Sequence, residues 1–300
     1  MNIIKMLRSF KVTKEYKNSR FDRYFKNNIQ DIPQALLEKL IRKKIILVNG
    51  LKSKSSYRVQ IDDLITIKKL PKVFTNKKKN TIFSPSSLEV KNYEKIILHN
   101  NENFIVINKP CGIAVQSGTK SFKNIFDLLK KTQFVTDNQI YTVHRLDKET
   151  SGVMIYAKNR KYAQLLTSLF RLRSIHKTYH AVITGSLGFK KKVVEDVLSY
   201  KIKNREIKQK AISNFKEIKT NKKYSLIEIK PLTGRKHQIR KQLLKLNNPI
   251  IGDSKYSDKK INKKDNLLLH SFGIKFFINN RKYEFFAPYP DNFKKFLEKI

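Results

Sequence analysis

Apolar residues near the start of the chain follow two different spacings. They repeat at helical spacing after Ser19, the predicted N-cap, and again after Pro33, which suits the first turn of a helix. The positions on these two helical faces are Phe21, Tyr24, Phe25, Leu36, Leu37, Leu40 and Ile41. Short apolar runs at 46–50 and 64–67 predict two strands. The pattern therefore predicts a compact helix–helix–hairpin unit.

This periodicity disappears over 71–88, where a triple lysine and a Ser-Pro-Ser-Ser run follow one another. Such a composition is typical of a linker. We therefore divide the chain into a small unit at 1–75, a linker at 76–88 and a large unit at 89–300.

The large unit mixes strands and helices without strict alternation. Strands are predicted at 104–108, 152–158, 178–184, 212–218, 224–229, 267–277 and 283–286. Helices are predicted at 121–129, 159–172, 233–246 and after 291, capped by Ser121, Asn159, Thr233 and Asp291. Because several predicted strands follow one another directly, the sequence predicts an α+β fold with a largely antiparallel mixed sheet and flanking helices.

The charge of the chain is strongly unbalanced. It carries 65 Lys and Arg against 24 Asp and Glu, which gives a formal net charge of +41. Such a surface attracts polyanions, so RNA or DNA is the default partner. Of the basic residues 52 are Lys and 13 are Arg. A codon-biased genome also produces this skew at neutral positions, so composition alone leaves drift open as an explanation.

Composition and apolar patterning argue against several classes of protein. Cys111 is the only cysteine, which rules out an internal disulfide framework and any multi-cysteine zinc site. No apolar run approaches the roughly 20 residues that a membrane helix needs. The basic start of the chain lacks the apolar core of a secretory signal. We expect a soluble, cytoplasmic, monomeric protein that binds no membrane.

Two polar stretches stand where sites are commonly built. His144, Arg145 and Asp147 lie on a predicted loop between two strands, and loops on a rigid scaffold often carry function. The alternative is that Asp147 caps a turn and that the other two side chains are solvated. Further on, Lys177 and Tyr179 share one face of a predicted strand, although a tyrosine there most often serves packing.

The predicted start of the helix at 233–246 is unusually basic, since it holds Arg235, Lys236, His237 and Arg240. Cations at a helix N-terminus oppose the helix dipole. An anionic partner is the simplest explanation for that cost.

Taken together, these motifs are more specific than any one of them. In chain order they are His144-Arg145-Leu146-Asp147-x-x-Thr150-Ser151-Gly152, Lys177-x-Tyr179, Thr233-Gly234-Arg235-x-His237-Gln238-Ile239-Arg240, Gly252-Asp253-x-x-Tyr256 and Leu269-His270. Their combination over 89–300 resembles the RluA family of pseudouridine synthases. The stretch Asn108-Lys109-Pro110-x-Gly112 strengthens the resemblance to the RluC-type branch, which acts on large-subunit ribosomal RNA.

The small unit separately resembles an S4 RNA-binding domain, a small α/β fold. The matching stretches are Arg20-x-Asp22, Leu40-Ile41-Arg42, Val48-Asn49-Gly50 and Asp63-x-Ile65. Lys44 and Asp62 depart from the pattern because S4 domains often have glycine there. In the large unit, Cys111 and Lys236 replace small or hydroxyl residues. None of these departures removes a group that the chemistry requires.

The resemblance implies that a uridine within RNA is converted to pseudouridine, without a cofactor or metal. Asp147 would be the catalytic carboxylate, acting either as nucleophile at C1′ or as base at C2′. Arg240 would pair with Asp147, and Tyr179 would stack on the uracil near C5. Arg145 would fill the space that the flipped base leaves. Asp253 is assigned a turn-forming role.

The remaining basic residues of the motifs are predicted to contact RNA. They are His144, Lys177, Arg235 and His237 in the large unit, with Arg20 and Arg42 in the small unit. For His144 a structural role is the alternative. The expected partner is 23S ribosomal RNA or its large-subunit precursor. One alternative is a transfer RNA pseudouridine synthase. Another is a non-catalytic ribosome-assembly factor, which would not require Asp147, Tyr179 and Arg240 together.

Overall fold

A computed structural model of the chain describes residues 8–68, 83, 85–117, 123–136, 139–202, 205–256 and 266–300. The chain separates into two compact units, Met1–Lys79 and Asn80–Ile300, each with hydrophobic core clusters of its own. Most of the linker predicted at 76–88 lies outside the described residues. Within the described ranges, no helix is long and apolar enough to cross a membrane.

The small unit combines two helices with a three-stranded antiparallel sheet in the order β1–β3–β2. Its elements are β1 (Arg8–Lys11), a 3-10 helix (Lys14–Tyr16), α1 (Phe21–Asn28), α2 (Gln34–Arg42), β2 (Ile46–Val48) and β3 (Leu64–Ile67). Both predicted helices and both predicted strands are confirmed. Strand β1 was not predicted, because its four residues are mostly exposed and show no apolar alternation. Arg20, not Ser19, is the N-cap of α1.

The core of the small unit is formed by the apolar faces that the sequence predicts. Phe21, Phe25 and Leu37 are all at most 1% exposed and pack in one cluster with the strands. Lys44 and Asp62 have φ values of 54° and 68°, in the left-handed region that favours glycine. These two turns therefore keep the backbone conformation that a glycine would adopt there. The S4 assignment of this unit stays a prediction.

The large unit, over its described residues, is built on one sheet with helices packed around it. The strands are β4 (Ile97–Asn100), β5 (Phe104–Lys109), β6 (Tyr141–Thr142), β7 (Ser151–Ala157), β8 (His176–Thr184), β9 (Lys191–Ile202), β10 (Arg205–Thr220), β11 (Tyr224–Pro231), β12 (Leu269–Ile278) and β13 (Arg281–Phe286). The helices are α3 (Ser87–Glu94), α4 (Ile125–Leu129), α5 (Arg160–Arg171), α6 (Gln238–Lys245) and α7 (Asp291–Leu297).

The strand order along the sheet is β4–β5–β7–β12–β8–β11–β10–β9, with β13 paired to β12 and β6 to β7. Among the described strands, every pairing is antiparallel except that of β7 with β12. The predicted α+β class with a largely antiparallel mixed sheet is confirmed. At the β7–β12 pairing, a Cβ on Gly152 would lie 2.2 Å from the backbone oxygen of Ser271, and Gly152 has a φ of 109°. Only glycine allows the two strands to approach so closely.

Three helix starts differ from the prediction. Helix α6 begins at Gln238 rather than near Thr233, because the Thr233 hydroxyl donates to the Gln238 side chain (2.7 Å) instead of capping a helix. Helix α4 is capped by Asn124, and Ser121 lies outside the described residues. Pro290, not Asp291, is the N-cap of α7. Only for α6 does a side-chain contact, that of Thr233 with Gln238, account for the shifted boundary.

Candidate active site

Residues from several of the motifs that the sequence singled out in the large unit line one cleft of about 1470 Å³. Asp147, Tyr179 and Arg240 all line it, although they come from three separate parts of the sequence. Among the described residues, eleven Lys and Arg side chains line the cleft against three acidic ones. A cleft with this excess of positive charge attracts a polyanion.

Asp147 lies on the loop between β6 and β7, as the sequence predicts. The backbone N–H of Thr150 donates to the Asp147 carbonyl at 3.1 Å, which closes a turn directly before β7. The Asp147 side chain is 28% exposed and faces the cleft, where its Oδ1 lies 3.6 Å from Nε2 of His237. The carboxylate is therefore accessible to a ligand while its loop is held by a sheet strand.

The buried side chain of Lys109 holds the loop of Asp147 in place through hydrogen bonds. The Lys109 ammonium is fully buried and donates to the carbonyls of Pro110, Ile113 and Lys148 at 2.8, 2.9 and 3.0 Å. Lys148 directly follows Asp147 and also accepts from the Gly112 N–H at 3.0 Å. Burial lowers the pKa of Lys109 to about 8. Lys109 lies in the stretch Asn108-Lys109-Pro110-x-Gly112, but its sequence context did not indicate this role.

This burial predicts a pH-dependent contribution to stability. The folded pKa of Lys109 is about 8, whereas an unperturbed lysine titrates near 10.4. Between these values the unfolded chain holds a proton that the folded protein has released, so folding becomes more favourable as pH rises. Relative to Lys109→Met, the wild type should gain about 2–3 kcal/mol in free energy of unfolding between pH 7.5 and 10.

Urea unfolding of both proteins at the two pH values measures this difference. Other lysines titrate equally in both proteins and cancel. A difference that stays flat or falls with pH would contradict a buried Lys109 amine.

The prediction that Arg240 forms an ion pair with Asp147 is wrong. Instead, Nε and Nη2 of Arg240 donate to the two carboxylate oxygens of Asp253 at 2.7 and 2.6 Å, and these side chains are 5% and 1% exposed. Burial opposes the charged form of Arg240, but the bonds and charge of Asp253 outweigh it and raise its pKa. The negative charge of Asp147 also raises the pKa of Arg240, by a smaller amount.

Asp253 has a larger role than the turn assigned to it from the sequence. Its Oδ1 does accept the backbone N–H groups of Lys255 and Tyr256, both at 3.1 Å, as a turn-forming residue would. The same carboxylate also holds Arg240 in a bidentate ion pair. The sequence could not separate the two carboxylates, because either aspartate suits an arginine on a neighbouring helix.

His237 stands at the N-cap of α6 in a left-handed conformation, with φ 53° and ψ 31°. Its Nδ1 lies 2.8 Å from the Tyr256 hydroxyl, and its Nε2 faces Asp147. Burial lowers the pKa of His237, and the Asp147 charge opposes that shift. The Tyr256 ring also lies 5.1 Å from the Arg240 guanidinium. His237 and Tyr256 therefore connect the buried ion pair to the loop of Asp147.

Tyr179 lies on β8 and lines the same cleft, partly buried against two of the core clusters. Burial raises the pKa of Tyr179 to about 12, with a smaller contribution from the Asp147 charge. The phenol is consequently protonated at neutral pH. Its ring is available for stacking, and its hydroxyl can donate a hydrogen bond.

The two other predicted RNA contacts near β8 differ in environment. His144 accepts the Ile155 N–H at 2.9 Å and stacks on Phe170 at 4.3 Å between ring centroids. Burial lowers its pKa to about 3, so the ring is neutral and suits a structural role. Burial also lowers the pKa of Lys177, whose ammonium would lie 3.8 Å from a Cβ on Gly234.

The remaining predicted contacts are arginines. Arg145 is exposed and lines the cleft, and its guanidinium has no hydrogen-bond or ion-pair partner among the described residues. Arg235 lines the cleft too, with its Nε donating to the Lys210 carbonyl at 3.1 Å. In the small unit, Arg20 pairs with Asp22 at 2.6 Å, while Arg42 is exposed beside a shallow pocket. Of the predicted RNA contacts in the large unit, Arg145 is thus the one that is exposed.

Comparison with known proteins gives one consistent family. The model of the RNA pseudouridylate synthase family matches residues 103–245. A ribosomal large subunit pseudouridine synthase C from Buchnera aphidicola subsp. Acyrthosiphon pisum is 32% identical over 306 residues, covering 96% of each chain. A protein of the same name from Rickettsia conorii is 34% identical over 257 residues, covering 81% of this chain and 84% of the relative.

Solved structures agree on the fold. Human RNA pseudouridylate synthase domain containing 4 superposes with a TM-score of 0.62 at 25% sequence identity. The superposition covers 71% of this chain and 95% of the human one. The large unit therefore has the architecture of known pseudouridylate synthases.

Proposed function

The chain belongs to the RNA pseudouridylate synthase family, and from that premise we propose that it isomerises specific uridines of large-subunit ribosomal RNA with Asp147 as the catalytic carboxylate. The observation that carries the proposal is the cleft itself. It brings an accessible carboxylate, a protonated tyrosine and a buried arginine to one basic surface.

The chemistry needs few groups. The N1–C1′ bond of the uridine breaks, the base turns, and a C5–C1′ bond forms, after which the C5 proton leaves. Asp147 acts at the ribose, either as nucleophile at C1′ or as base at C2′. The His237 ring lies beside this carboxylate, with Nε2 3.6 Å from Oδ1, and Arg240 lies in the same cleft.

Two further residues are proposed to accommodate the uracil when it leaves the RNA stack. The uridine must leave its stack to reach Asp147. Tyr179 supplies an aromatic ring for the extruded uracil. Arg145, exposed and free of protein partners among the described residues, supplies a planar cation that can stack in the vacated space.

Large-subunit ribosomal RNA is proposed as the substrate because relatives that match nearly the whole chain carry that name. The test is tritium release from [5-³H]uridine transcripts of large-subunit ribosomal RNA, with a transfer RNA pool run in parallel. We expect release from the ribosomal transcript. Release confined to transfer RNA would instead support the alternative substrate, and no release from either RNA would contradict the proposed activity.

The small unit is proposed to bind phosphates away from the chemistry. A variant that lacks residues 1–75 should bind RNA more weakly, and its affinity should fall less steeply with salt, by a logarithmic slope of about 0.7–0.9 for each phosphate that the small unit neutralises. Turnover of a short substrate at saturation should largely survive. Filter binding across a salt series and single-turnover tritium release measure the two effects. A folded variant without turnover at saturation would show that the small unit is more than an accessory.

A further inference from the structure

We propose that His237, fixed by Tyr256, is a positioning residue that orients Asp147 through a hydrogen bond from Nε2. This inference rests on the proposed role of Asp147. It gives His237 a function at the reacting carboxylate, in place of the RNA contact expected from the sequence.

The tautomer of His237 follows from the groups that face its two ring nitrogens. An ionised carboxylate only accepts hydrogen bonds, so the nitrogen that faces Asp147 has to carry a proton. Burial lowers the pKa of His237, and the charges of Arg240, Lys255 and Lys236 lower it further, against the opposing charge of Asp147. The ring is therefore neutral, with its proton on Nε2 and a lone pair on Nδ1. Tyr256 then donates its hydroxyl to Nδ1 at 2.8 Å, which fixes this tautomer.

The backbone conformation of His237 also points to a site that the surrounding structure holds in place. His237 adopts φ 53° and ψ 31°, a left-handed conformation that is uncommon for residues other than glycine, although histidine adopts it more often than most. Such residues persist where the surrounding structure holds them, and they cluster at functional sites. Here the conformation places the side chain of a helix-cap residue between Tyr256 and the loop that carries Asp147.

Tyr256 is in turn held by contacts with Asp253 and Arg240. Its backbone N–H donates to Asp253, and its ring lies over Arg240. The orientation of Tyr256 is thus set by the buried Arg240–Asp253 pair. The contact from His237 Nε2 to Asp147 Oδ1 is 3.6 Å, longer than a hydrogen bond. Catalytic hydrogen bonds are often long without substrate and shorten in the complex.

The test compares His237→Ala, His237→Gln and Tyr256→Phe in single-turnover tritium release at saturating large-subunit RNA, with RNA affinity measured in parallel. Removing a hydrogen bond to a charged group should lower the rate roughly ten- to hundredfold in His237→Ala, with affinity within about twofold of wild type. His237→Gln should recover part of the rate, because its amide N–H can replace Nε2–H. Tyr256→Phe should lower the rate less.

Tyr200→Phe is the matched control. It removes another tyrosine hydroxyl that donates to the same segment, to the Lys236 carbonyl at 3.2 Å, without touching His237. We expect a wild-type rate for it. The proposal is overturned if His237→Ala keeps the wild-type rate, or if it loses affinity at an unchanged saturated rate, which would return His237 to RNA contact. Failure of the proposed function is distinguishable, because the wild type itself would then release no tritium.

Discussion

Asp147→Asn should reduce uridine isomerisation below detection while folding and RNA affinity stay close to wild type. The substitution replaces one carboxylate oxygen by an amide of the same shape, and the side chain is partly exposed, so little packing changes. An amide is neither a useful nucleophile nor a base, and both possible roles of Asp147 require one. Single-turnover tritium release from [5-³H]uridine RNA, with binding measured in parallel, is the readout.

Glu149→Gln is the control for this prediction. Glu149 lines the same cleft two residues away on the same loop. It should remain active. Turnover of Asp147→Asn within about tenfold of wild type, a barrier change of only about 1.4 kcal/mol, would show that Asp147 is not the catalytic group. A dead but folded Glu149→Gln would show that the wrong carboxylate was chosen.

Arg240→Ala should cost about 3–5 kcal/mol in free energy of unfolding, because it removes the bidentate ion pair from the buried Asp253 carboxylate. Asp253→Ala should cost a similar amount for the converse reason. The double variant should be less destabilised than the sum of the two, since neither charge then remains unpaired. Urea denaturation of the four proteins measures this coupling.

Lys245→Ala provides the comparison on the same helix. Lys245 pairs with Asp196 at 2.6 Å, but its side chain is about half exposed, so its loss should cost less than about 1 kcal/mol. Arg240→Lys keeps the charge without the bidentate geometry and should fall between wild type and Arg240→Ala. Additive effects in the double variant would contradict a coupled buried pair.

Much of the fold follows from local patterns. Helix α5 is capped by Asn159 as predicted, because its side chain accepts the Tyr162 N–H at 2.9 Å. The β12–β13 hairpin turns at Asn279 and Asn280, both with positive φ, as asparagine pairs favour. In such segments a few neighbouring residues decide the structure.

Other features depend on contacts that are distant in sequence. Strand β9 was missed because its exposed face mixes polar Lys191 and Glu195 with apolar Val193 and Val197, so no clear alternation of polar and apolar residues marks it. The start of α6 was misplaced because Thr233 bonds to Gln238 and to the Ile212 N–H on β10. Tertiary partners of this kind leave no local signal.

The same distinction holds at the site. The family resemblance carried by the motifs implied that Asp147, Tyr179 and Arg240 lie together, and all three line one cleft. The partner of Arg240 could not be derived, because it depends on how the turn at Asp253 folds back on α6. The sequence also could not predict that Lys109 holds the loop of Asp147, because a lysine normally indicates an exposed position, whereas Lys109 is buried.

The most direct test of the account is carbodiimide–primer-extension mapping of large-subunit ribosomal RNA from cells that lack this protein, complemented with wild type, Asp147→Asn or Glu149→Gln. The account predicts that specific pseudouridine stops disappear in the deletion, return with wild type and Glu149→Gln, and stay absent with Asp147→Asn. Identical stops in the deletion and the parent, or stops restored by Asp147→Asn, would contradict it.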